Sequence, residues 1–120
     1  MIKFTIPLPP FDYSITILIG PIPKSIAYVN RIAESHFKPG NELAACLKPA
    51  GWCPFILLPR HPRTAREIGT LAHEASHAAE HLLHWTSEEV CAGEILSHTI
   101  GYIVSTVLSH KQTRRSKDVG

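Results

Sequence analysis

The run from Thr64 to Trp85, "TAREIGTLAHEASHAAEHLLHW", limits the possible folds more than any other part of the chain. Thr64 carries the hydroxyl of a helix N-cap, and Glu67, three residues on, supplies the carboxylate that completes a capping box. The helix that this start predicts runs to about Trp85, and a chain of 120 residues has to build the rest of its structure around it. That length suits one domain with a modest core. With 44% hydrophobic and 18% charged residues, the composition is that of a folded chain and excludes an intrinsically disordered one.

Ahead of the long helix, "KFTIPL" and "YSITILIG" have the β-branched content of strands, and "PPFDY" between them has turn chemistry. They form a hairpin or two neighbouring strands. In "PIPKSIAYVNRIAESHF" the residues Ile26, Val29, Ile32, Ala33 and Phe37 fall near helical spacing, which predicts a first amphipathic helix ended by Pro39-Gly40. "ELAACLK" is short enough to be strand or helix, and "PAGW" turns the chain. "CPFILLPR" is an apolar run bracketed by Pro54 and Pro59, which cannot donate to a ladder, so a strand at a sheet edge is expected. After the long helix, Thr86 or Ser87 caps another, with Glu88 or Glu89 in its first turn, extending to about Ser109. The expected fold is α+β: a small antiparallel or mixed sheet packed against an N-terminal helix and two C-terminal helices, the helices on one sheet face. Residues 1–110 form the single domain, and 111–120 a basic tail.

Inside the long helix stands "HEASH". His73 and His77, four apart, project from one helix face one turn apart, so both imidazoles can reach one zinc ion at about 2.0–2.1 Å. Glu74 lies beside that face, where it can touch a water held by the metal without ligating the metal itself. This is the HExxH geometry of zinc peptidases, in which Glu acts as general base. The free positions hold Ala75 and Ser76, small enough to let a strand or a substrate come close. The bland alternative is a polar helix surface that happens to carry histidines.

A catalytic zinc needs a third protein ligand. The following helix offers Glu88, Glu89, Cys91, Glu94 and His98. Glu88 and Glu89 fall in a first turn, where the helix dipole alone favours carboxylates. Cys91 reads as a small buried thiol. Glu94 lies within the apolar segment "VCAGEILSHTIGYIVSTVL", where an unpaired carboxylate would cost several kcal/mol. A cation on the neighbouring helix would compensate it, which makes Glu94 the expected third ligand. His98 shares its face and could orient it, and Gly101 on the same stripe would let the two helices approach closely.

"TLAHEASHAAEHLL" followed by "EILSHTIGYIV" resembles the small zincin-like metallopeptidase domains often found in bacteriophage genomes. Those domains pair HExxH with a downstream Glu seven residues ahead of a Gly-Tyr pair. The resemblance covers roughly residues 69 to 104 and implies His73, His77 and Glu94 as zinc ligands, Glu74 as the base, a zincin fold and a viral source. The similar domains usually carry an aromatic residue where His98 stands, which leaves the role of His98 open.

The expected reaction is hydrolysis of a peptide bond, with zinc polarising the carbonyl and Glu74 moving the proton to the leaving amine. Tyr102, His98, His81 and His84 are all candidates for the donor that stabilises the oxyanion. An edge strand such as "CPFILLPR" could take an extended substrate by strand addition, though its prolines weaken that role. His84 is too far along the axis from His73 for the same metal, and Glu80 is expected to be solvated or paired with His84. The expected partner is a protein or peptide substrate, a host protein among the candidates. The alternative is a catalytically silent interaction protein that uses zinc to hold two helices together, such as an inhibitor of a host protein.

Charge argues against nucleic acid. Of the net +2, the tail "KQTRRSKDVG" contributes four cations against Asp118, which leaves the remainder at −1 with no basic face. Membrane insertion is equally disfavoured, because the longest apolar segment contains Glu94 and His98. Pro7, Pro9, Pro10 and Asp12 interrupt the N-terminal apolar run that a signal peptide would need. Three cysteines without CxxC spacing fit a reducing cytoplasm better than a disulfide framework.

Overall fold

In the computed structural model the described residues are 1–9, 11–86 and 92–110, with the backbone alone at 85, 86 and 92–94. Strands β1 (Ile2–Pro7) and β2 (Ser14–Ile19) form the expected hairpin, in register from Ile2 opposite Ile19 to Pro7 opposite Ser14. The chain then crosses over through helix α1 (Ile22–Ala33) and returns in the short strand β3 (Ala45–Leu47) and in β4 (Phe55–Leu58). β4 pairs parallel with β2 and antiparallel with β3, so the sheet is mixed, in the order β1-β2-β4-β3. Helices α2 (Ala65–Thr86) and α3 (Ala92–Ser109) follow and complete the α+β fold.

Strand alternation divides the apolar residues between two sheet faces. Ile15, Ile17 and Ile19 of β2, with Ile56 and Leu58 of β4, bury against Leu71, Ala75, Ala78 and Leu82 of α2 and Ile103 and Val107 of α3. Leu18, Phe55 and Leu57 point the other way and pack with Ile22, Ile26 and Val29 of α1. The helices therefore cover both faces, contrary to the expectation of one. A parallel β2–β4 pair needs a crossover, and the helix that makes it has to lie over a face of the sheet.

Two further expectations are corrected. β4 is an interior strand with all four residues buried, because Pro54 and Pro59 flank the paired segment and remove no ladder donor from within it. The edge beside it is the "ACL" of the ambiguous "ELAACLK" segment. Helix α1 ends at Ala33, not at Pro39-Gly40: Glu34 takes a left-handed conformation (φ 53°) and its amide donates to the Asn30 carbonyl. The Asn30 side chain then holds the departing chain, donating to the Phe37 carbonyl (2.8 Å) and accepting from the Phe37 amide and the Ser35 hydroxyl (2.9 Å each).

The start of α2 is as the sequence predicts. The Glu67 amide donates to Thr64 Oγ1 and the Thr64 amide to Glu67 Oε1, each 3.1 Å, which is the reciprocal capping box. Arg63 adds a backbone amide and Arg60 its guanidinium to the same carboxylate. α3 is less buried than its composition suggests, with Thr99, Ile103 and Val107 in the core and His98, Gly101 and Tyr102 exposed. A Cβ on Gly101 would meet open space, so this glycine does not serve a close approach of α2 and α3. Among the described residues no helix is long and apolar enough to cross a membrane.

Candidate metal centre

Because α2 is pinned to the sheet by Leu71, Ala75, Ala78 and Leu82, residues on its opposite side face solvent. His73 and His77 lie there, their side chains 69% and 48% exposed. Their rings meet edge to face with centroids 4.7 Å apart, and the two Nε2 atoms approach to 3.2 Å. Two ligands about 2.0–2.1 Å from a tetrahedral zinc stand roughly 3.3–3.4 Å from each other. The pair therefore fits a shared ion with almost no rearrangement. Without one, the same spacing allows a single N–H···N hydrogen bond.

Glu74 completes a group whose candidate ligand atoms all lie within 4.8 Å of one another. Its Oε1 is 3.9 Å from His73 Nε2, yet the residue itself is buried, close enough to β3 to act on Cys46. With the imidazoles exposed and the carboxylate buried, an ion held by the two rings would have the carboxylate beside it. Its charge reaches β3: burial first, and then Glu74, push the Cys46 thiol up to about 12, so this cysteine stays protonated at neutral pH. Cys46 and Cys53 are both free thiols.

Of the two small residues of the motif, one serves the close approach of the strands that the sequence suggests. Ala75 is wholly buried and lets α2 lie close on the sheet, and the Ser76 hydroxyl donates back to the His73 carbonyl at 2.6 Å. Neither faces the imidazole pair as a substrate would require. His81 follows one turn after His77. Burial, then the charges of Lys48, His84 and His77, hold its pKa below the ordinary imidazole value, so it is neutral at physiological pH. Glu80 is solvated, as one of its two expected roles has it, with its side chain 58% exposed, and it approaches His77 Nδ1, at 3.9 Å, in place of His84. The i,i+3 spacing was a signal for this pairing.

His98 and Tyr102 are on α3, where they line a hollow with Leu8, Pro9, Phe11, Leu82, Ile95 and Thr99. Neither His73 nor His77 borders that hollow. Glu94 belongs to the first turn of α3, where the helix dipole alone favours a carboxylate, and not to the middle of an apolar helix as expected. Its side chain lies outside the described residues, as do Cys91, Ser87, Glu88 and Glu89. Among the described residues no third protein ligand joins the two histidines apart from Glu74. No protein-family model matches the chain, and neither the curated proteins nor the solved structures contain a match for it.

Proposed function

We propose that the chain is a small zinc-dependent peptidase, with His73 and His77 as ligands and Glu74 as general base. The observation that carries this reading is the 3.2 Å approach of the two Nε2 atoms, in a pair that solvent can reach, with a buried carboxylate beside it. Zinc, when bound, would supply the Lewis acidity that polarises a peptide carbonyl and makes water acidic enough to ionise near neutral pH. Glu74 then accepts the proton of the attacking water and returns it to the leaving amine. Shielding by α2 and β3 keeps this carboxylate close to the reacting atoms and limits competition from bulk water.

For the third ligand we propose Glu94. His73 and His77 are exposed, so an ion between them would lie at the surface of α2, and a ligand from α3 would have to reach that surface. Glu94 stands seven residues ahead of the Gly101-Tyr102 pair, the spacing by which the resemblance to zincin-like domains implies it as a ligand. The substrate would be an extended polypeptide. β3 ends the sheet order next to Glu74, and its outer edge offers backbone groups for strand addition. Leu43 and Trp52, 62% and 41% exposed, precede and follow β3 in the chain and offer apolar surface to a peptide.

A second reading, a zinc-stabilised interaction protein without catalysis, draws support from the placement of His98 and Tyr102 away from the histidine pair. That placement leaves the oxyanion donor unassigned. Glu74→Gln separates the two readings. A peptidase keeps its zinc in this variant and loses hydrolysis by about 100-fold or more. A biological effect that survives the substitution undiminished would contradict proteolysis.

A further inference from the structure

We propose that Glu80 is the carboxylate that orients His77 for metal binding, an inference resting on the reading of His73 and His77 as ligands. An imidazole that ligates through one nitrogen keeps its proton on the other, and the partner of that second nitrogen sets both the tautomer and the ring orientation. In His77 the two nitrogens face different groups. Nε2 is turned to His73 Nε2 at 3.2 Å, and Nδ1 to Glu80 Oε2 at 3.9 Å. The second distance is longer than a hydrogen bond. The Glu80 side chain is 58% exposed and flexible, however, so rotation about its own bonds can close the gap without disturbing the helix.

The two carboxylates that flank the imidazoles thus stand on opposite sides. Glu74 lies 3.9 Å from Nε2 of His73, on the side where the ion would be held. Glu80 lies behind His77, on the side away from it. A carboxylate in that position accepts the Nδ1 proton, fixes the tautomer that leaves Nε2 free to ligate, and makes the ring a stronger donor. Helical spacing makes the arrangement available: residues i and i+3 are neighbours on the surface of α2, and Glu80 needs no support from another element. The alternative role, a solvated surface pair, would leave zinc affinity untouched.

Glu80→Ala, Glu80→Gln and Glu80→Asp in the full chain test this by competition for zinc against a chromophoric chelator. The expected result is affinity about 10- to 100-fold weaker in Glu80→Ala and in the shorter Glu80→Asp, a smaller loss in Glu80→Gln, whose amide oxygen reaches as far and still accepts the Nδ1 proton, and an unchanged melting temperature of the metal-free protein. In zinc-loaded wild type, nitrogen NMR should show His77 protonated at Nδ1, with that proton protected from exchange until Glu80 is removed. Zinc affinity within twofold of wild type in Glu80→Ala would overturn the orienting role and leave the metal site standing. Failure of the wild-type protein to bind zinc would overturn both.

Discussion

Glu67 and Glu74 are carboxylates on the same helix, and their surroundings set them different tasks. Glu67 accepts from the backbone amides of Thr64 and Arg63 and from the Arg60 guanidinium, in that order of influence, and these hold its pKa down to about 2. In the unfolded chain it would titrate near the ordinary value of about 4.3. Its contribution to the start of α2 is therefore complete above that value and disappears as the pH falls through about 2. Circular dichroism on acidification should show a loss of wild-type stability in this interval that Glu67→Gln does not share. Thr64→Ala, which removes the other half of the capping box, should cost about 1 kcal/mol in denaturant melts at neutral pH. Glu74, by contrast, is buried with no capping duty and lies next to two imidazoles. A group in that position does nothing for the helix start, and it is the one to which we propose to assign the proton transfer.

At the scale of elements, what could be seen in the sequence was local, and what could not was set by distant parts of the chain. The hairpin, the capping box of α2 and the His73–His77 relation depend on residues a few positions apart, and each is present as expected. The end of α1 was hidden because a side chain decides it. Asn30 reaches forward to Ser35 and Phe37, and hydrophobic spacing through Phe37 does not reveal that clamp. Asn30→Ala should lower stability by about 1–3 kcal/mol, measured by urea unfolding, since it removes several partly buried hydrogen bonds at once. The position of β4 was hidden for another reason. Flanking prolines look the same in an edge strand and in an interior strand whose pairing stops just short of them, and only the parallel partner β2 distinguishes the two. The stripe of α3 through His98 and Gly101 was expected to face α2. It is exposed because Ile103 and Val107 set the rotation of the helix from the opposite side.

At the scale of the whole molecule, the sheet is a platform whose two faces carry different duties. α1 seals one face, and α2 and α3 seal the other, leaving the histidine pair on the outer surface of α2 and the β3 edge beside Glu74. An ion bound there ties to α2 any ligand that α3 contributes, so metal and stability are linked: at a hundredfold excess over its dissociation constant it adds about 2.7 kcal/mol. The most direct test is X-ray absorption on purified protein together with its elemental zinc content. One zinc per chain, with two imidazole nitrogens about 2.0–2.1 Å away, is expected, and the ion should be lost from His73→Ala and His77→Ala. Protein that stays free of zinc under supplementation, or that keeps a full complement after both histidines are replaced, would contradict the proposal.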